Sequence, residues 1–116
     1  MNWTAVAAIL LALAVAIGAF GAHGLRGRLD EYSMNVYERA VLYHFIHALG
    51  LLIVSALPRP STAACWLFLI GIVLFSGSLY ILAITGIKTL GAVTPFGGVS
   101  FIAAWILLAI SALRKN

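Results

Sequence analysis

The chain is short of charge. Seven Lys or Arg and three Asp or Glu make charged types 9 % of its 116 residues, against about 25 % in a soluble globular domain. So few charged side chains cannot form a polar skin, so lipid must cover the rest. The only aspartate is Asp30, in a polar connection, so there is no Ser–His–Asp set, and there is no paired carboxylate and no phosphate-cradling loop. An enzyme is not expected, and no catalytic residue stands out. A single cysteine, Cys65, excludes an internal disulfide and any Cys-based metal cluster. Lying in an apolar run, it reads as a small packing or lipid-facing residue. The net charge of +4 is spread too thinly to track a phosphate backbone, so nucleic acid is not an expected partner. The excess reads as juxtamembrane charge beside anionic lipid. No Lys or Arg precedes the first apolar run, and that run continues to Ala22, which favours a retained first span over a cleaved signal peptide.

What is abundant is apolar length. Hydrophobic types make up 64 % of the chain, and a membrane-crossing helix needs roughly 20 apolar residues. The sequence predicts an all-α membrane protein, a four-transmembrane-helix bundle with short loops. It reads as one integral membrane domain over 1–116, with spans at about 3–22, 34–57, 63–84 and 95–113. Trp3 suits an interfacial anchor. Pro58 and Pro60 stop span two, because the residue before a proline resists the helical region. Ser61 or Thr62 can cap span three. Thr85 and Gly86 end it, and Thr94 with Pro95 opens span four.

Four spans put both termini on one side. Arg59, Arg114 and Lys115 flank the terminal side; Arg26, Arg28, Lys88 and the ambiguous Arg39 flank the other. The positive-inside rule counts Lys and Arg near the spans, and these sets are close to balanced. The first span tips the balance: Arg26 and Arg28 follow it and nothing basic precedes it, which favours both termini outside.

Ionisable groups are costly in lipid and normally face protein or lie at span ends. Arg39, Tyr43 and His47 recur at i, i+4 and i+8 on span two, and His44 shares their broad face. With His23 after span one they form a candidate polar seam. It could relay protons, bind an anion, or hold a metal or haem. Equally, these groups could sit near the lipid boundary and bond loops and carbonyls. A zinc site wants four ligands, and His23, His44 and His47 supply three only if span one packs suitably. No metal and no cofactor is expected. Glu38 is placed to pair with Arg26 or Arg28. Gly18, Gly21 and Gly24 recur every three residues, and a side-chain-free face lets another helix approach. Ser76, Gly77 and Ser78 beside Tyr80, and Gly97 with Gly98, are further packing or lining candidates; the serines can bond back to carbonyls or across to another helix.

Several strings carry a resemblance together: Gly18-Ala19-Phe20-Gly21-Ala22-His23-Gly24-Leu25, Tyr43-His44-Phe45-Ile46-His47-Ala48-Leu49, Phe75-Ser76-Gly77-Ser78-Leu79-Tyr80, and Thr94-Pro95-Phe96-Gly97-Gly98 with Trp105 beyond. In order and spacing the chain resembles the bacterial inner-membrane family called domain of unknown function 423, whose eukaryotic relatives are called transmembrane protein 256. The resemblance covers essentially the whole chain. It implies a small multi-span protein of the bacterial cytoplasmic membrane with no assigned catalytic residue.

Three functions fit. The first is an accessory, structural or assembly component that packs through small-residue helix faces. The second is a homo-oligomeric small-solute or ion transporter or channel using the seam on span two. Against it, small multidrug exporters depend on a membrane-embedded glutamate, and spans one, three and four have no carboxylate. The third is a His-based haem or metal membrane protein. The expected partners are the lipid bilayer and either a second copy or a larger membrane complex.

Overall fold

The computed structural model describes residues 1–114; Lys115, counted above with the terminal charges, and Asn116 lie outside them. Four helical spans follow one another: Trp3–Leu25, Glu31–Ser55, Thr62–Thr85 and Lys88–Arg114, each long and apolar enough to cross a membrane. The first is α1 (Trp3–Phe20) closed by a π-helical turn, Gly21–Leu25. The second is α2 (Glu31–Ser55). The third is α3 (Thr62–Gly71), a π-helical turn Ile72–Ser76 and α4 (Gly77–Thr85). The fourth is a 3₁₀ segment, Lys88–Ala92, leading into α5 (Thr94–Arg114).

Short polar side chains set the ends. The side chain of Asn2 accepts from the Ala5 amide, and that of Ser61 from the Ala64 amide at 3.2 Å. These satisfy amides that the first turn of a helix leaves orphaned. Helix α2 starts earlier than the Ser33 or Met34 expected, because the Asp30 carboxylate accepts from the Ser33 amide at 2.7 Å and makes Asp30 the cap. That bond holds the Asp30 carboxyl below the usual carboxylate range. Span three ends at Gly86, whose φ of 73° closes the helix while its amide bonds the Leu82 carbonyl. Neither π turn was expected.

Helix α2 and span three form the middle of the bundle, with α1 against α2 and α5 against span three. Near the termini Ala7, Leu51, Val54, Cys65, Phe68 and Ala104 pack together. At mid-height Ala48, Ile72 and Phe101 do so. Towards the other end Val36, Tyr37, Ala40, Leu79, Leu82 and Ala83 form a third cluster. Glycines permit the closest approaches. A Cβ at Gly97 would strike the backbone of Phe75, inside the second π turn, and one at Gly71 would strike the Phe101 ring. Large apolar residues such as Ile9, Ile53, Val73, Val99 and Ile102 face outwards. An apolar exterior of this extent needs lipid or protein around it. The long axis, 51 Å, exceeds a hydrocarbon core of roughly 30 Å, so the charged turns extend past it.

Candidate functional site

The interior of the bundle holds a set of polar side chains that tie spans together. The buried Ser76 hydroxyl donates to the Ala40 carbonyl at 2.8 Å, joining span three to α2. The Ser100 hydroxyl donates to the Leu67 carbonyl at 2.7 Å, joining α5 to α3. Ser78 and Thr94 share a 2.6 Å hydroxyl–hydroxyl bond, and Ser78 lies 3.0 Å from the Phe75 carbonyl. The Tyr37 hydroxyl donates to the Ile17 carbonyl at 2.5 Å, joining α2 to α1. With no water in the hydrocarbon region, each such group must find a protein partner.

The two buried histidines differ. His47 donates from Nδ1 to the Tyr43 carbonyl one turn back, at 2.8 Å, which places its proton on that nitrogen. Its ring stacks on Phe101 with centroids 3.5 Å apart and planes 8° from parallel. Tyr43, Phe68 and Trp105 complete an aromatic box around it. His44 shares a 2.8 Å hydrogen bond between Nδ1 and the Tyr80 hydroxyl. Its Nε2 is enclosed and makes no hydrogen bond of ordinary geometry among the described residues; the nearest backbone acceptor is on Leu10 of α1. The two rings look in different directions because a step of three residues turns the helix by about 300° and raises it by about 4.5 Å.

The structure divides the candidate seam. His44 and His47 are buried, Tyr43 is half-buried, and Arg39 and His23 are exposed. Arg39 starts the same stripe as Tyr43 and His47, but at its level α2 turns that stripe outwards. His23 sits in the first π turn at the charged end, away from both buried histidines. Among the described residues no group of three His, Cys, Asp or Glu could hold a metal ion.

The packing candidates divide as well. Gly18 and Gly21 face α2, where a Cβ at Gly21 would strike Tyr37; Gly24 faces only Phe20 of its own span. Gly97 is where the backbone of another helix presses closest, Gly98 is loosely spaced and Gly77 meets open space. Ser76, Ser78 and Tyr80 line the interior network. Beyond these candidates the packing uses Tyr37 and Ser100, which bond across helices, and Gly50 and Gly71, where a Cβ would strike the Trp105 and Phe101 rings. A signal existed for the glycines: a lone glycine inside a helical run costs about 1 kcal/mol relative to alanine and so asks for a packing reason.

At the charged end Arg26 and Glu38 form the one ion pair among the described residues, at 3.5 Å and largely exposed. A cleft of about 230 Å³ lies beside it, between Gly18, Gly21, Tyr37 and Val41. A second cleft of about 400 Å³ lies on the outward face of α2, lined by Asn35, Glu38, Arg39, Leu42 and Tyr43. Neither cleft is lined by His44 or His47.

These features define a small four-span membrane bundle whose interior polar groups bind helix to helix. The chain belongs to the family described as protein of unknown function DUF423, whose model matches residues 17–98. It is 50 % identical over 113 residues to the UPF0382 membrane protein YwdK of Bacillus subtilis, covering 92 % of both chains. It is 48 % identical to the UPF0382 membrane protein SH2409 of Staphylococcus haemolyticus, covering 92 % of this chain and 91 % of that one. No solved structure matches the chain.

Proposed function

We propose that this protein is an accessory or assembly component of the bacterial cytoplasmic membrane, a single domain that packs laterally against other membrane helices. Its termini lie outside. The observation that carries this reading is the outer face of α1. That helix buries only Ala7 and Ala14 within the chain. It leaves Ala5, Ala8, Ala12, Ala16 and Ala19 exposed along one stripe. Small residues on a lipid-facing stripe let a second helix approach closely, where van der Waals packing drives association. The interior supports the same reading: His47 is hydrogen-bonded to the Tyr43 carbonyl and stacked on Phe101, and neither cleft is lined by it.

The test has two arms. Purified protein in vesicles should pass protons and small ions no faster than protein-free vesicles. In cells, a photo-crosslinking residue at Ala12 or Ala16 should give adducts with other membrane proteins, while one at Ile102 on α5 should not. Flux that disappears in His47→Ala would overturn the assembly reading.

A second reading, a proton-coupled transporter built from several copies, draws on one observation. The enclosed Nε2 of His44 has no hydrogen bond of ordinary geometry among the described residues, and a poorly paired buried nitrogen is costly unless it has a use. Flux lost in His44→Ala but retained in His47→Ala supports this second reading over the first.

A further inference from the structure

Helix α2 carries a pattern on its outward face that the interior does not use. Asn35, Arg39, Leu42, Ile46, Leu49 and Ile53 follow one another at alternating steps of four and three, and all are exposed. That is the heptad spacing of a two-stranded coiled coil, with Arg39, Ile46 and Ile53 at the a positions and Asn35, Leu42 and Leu49 at d. Ile at a with Leu at d favours two parallel strands, and a single polar residue in the seam fixes register and partner number.

The apolar part of this seam needs no protein partner, since lipid tails are as apolar as leucine. The polar part does. Arg39 lies well inside α2, eight residues beyond Glu31, or about 12 Å along the helix. Among the described residues no carboxylate is within ion-pair reach of it. A long cationic side chain near the membrane boundary either reaches for the polar interface or pairs with another polar group. Beside it is the 400 Å³ cleft whose walls include Asn35, Glu38, Arg39 and Leu42. In heptad terms these are d, g, a and the next d, the four positions that form the hole for an a-position knob from a facing helix. The knob would be the residue at position 39 of that helix.

We propose that the protein is a parallel homodimer about a two-fold axis along the membrane normal, with α2 packed on α2. In this dimer Arg39 of each copy enters the cleft of the other beside that copy's Arg39, and each guanidinium is offset by the facing Glu38 with Asn35 as a further polar neighbour. Adjacent opposite charges on one outward face are self-complementary under a two-fold operation, because the contact of residue 39 with residue 38 is made twice. Glu38 lies between its own Arg26 and the incoming guanidinium, and its exposure leaves room for both. The proposal goes beyond the assembly reading, since pairing through α2 leaves the alanine stripe of α1 free.

The experiment uses the full chain in vesicles of phosphatidylethanolamine and phosphatidylglycerol, in a Cys65→Ala background. Single cysteines at Leu42 and at Ile53 should each oxidise to a disulfide-linked dimer, and one at Ile102 on α5 should not. Arg39→Glu and Glu38→Arg should each weaken dimerisation by about tenfold or more, and the double exchange should restore it. Circular dichroism monitors folding of the charge variants, while the cysteine variants keep every charge in place. Crosslinking at Ile102 as strong as at Leu42 would overturn the proposal. So would crosslinking at only one of the two depths, which marks an antiparallel pair. A monomer that retains phosphatidylglycerol in native mass spectrometry and loses it in Arg39→Glu would also overturn it and assign the cleft to a lipid headgroup.

Discussion

His44 and His47 show how far residue identity goes. Polar residues within an apolar helix face protein rather than lipid, and both are buried, at 3 % and 5 % exposure. Their partners were not legible. His47 is satisfied by its own helix and an aromatic stack, whereas His44 depends on Tyr80, 36 residues away in sequence. Removing that hydroxyl leaves Nδ1 of the buried His44 ring without its hydrogen bond. Tyr80→Phe is therefore expected to destabilise the bundle by about 1–3 kcal/mol, the usual cost of an unsatisfied buried group. Denaturant unfolding in detergent, followed by helicity, checks this; an unchanged midpoint would mean the bond contributes nothing.

At the level of elements, local chemistry decides ends and packing decides interiors. The Ser61 cap and the Gly86 stop were readable because each acts through its own neighbouring turn. The cap at Asp30 is less legible, because Asp30 sits in a run of charged residues that reads as a polar loop until its carboxylate meets the Ser33 amide. The π turns at Gly21–Leu25 and Ile72–Ser76 were not readable, because they insert a residue where another element presses close. Gly97 illustrates the pressure. Its missing Cβ makes room for the backbone of Phe75 in the second π turn, while the adjacent Gly98 meets nothing nearer than 3.9 Å. Gly97→Ala should cost about 1–3 kcal/mol through overpacking, and Gly98→Ala should change stability little. Thermal unfolding of the pair in one detergent tests this. Equal shifts would show that α5 slides away from Phe75 without penalty.

For the whole molecule, the charges at the two ends of the bundle bear on which way it stands in the membrane. The structure puts Arg26, Arg28, Lys88 and the outward Arg39 in one half, opposite Arg59 and Arg114. In the proposed orientation, with both termini outside, the half bearing Arg26 is the cytoplasmic one. In a Cys65→Ala background, a cysteine at Arg59 should react with a membrane-impermeant maleimide added to intact spheroplasts. One at Arg28 should react only after lysis. The reverse pattern would invert the orientation, and equal labelling of both sites would show dual insertion.

The sequence by itself determined the solvent, the four apolar spans, the helix ends at Ser61 and Gly86 and the family, because these follow from apolar length and from short-range chemistry along one segment. Only the tertiary structure decided which polar residues became neighbours: His44 with Tyr80, Ser76 with Ala40, Ser100 with Leu67, and Arg39 left facing outwards. The reason is rotational. Helix periodicity places residues on a common face, but packing of neighbouring spans sets which face turns inwards, and glycine gaps at Gly71 and Gly97 set how closely they meet.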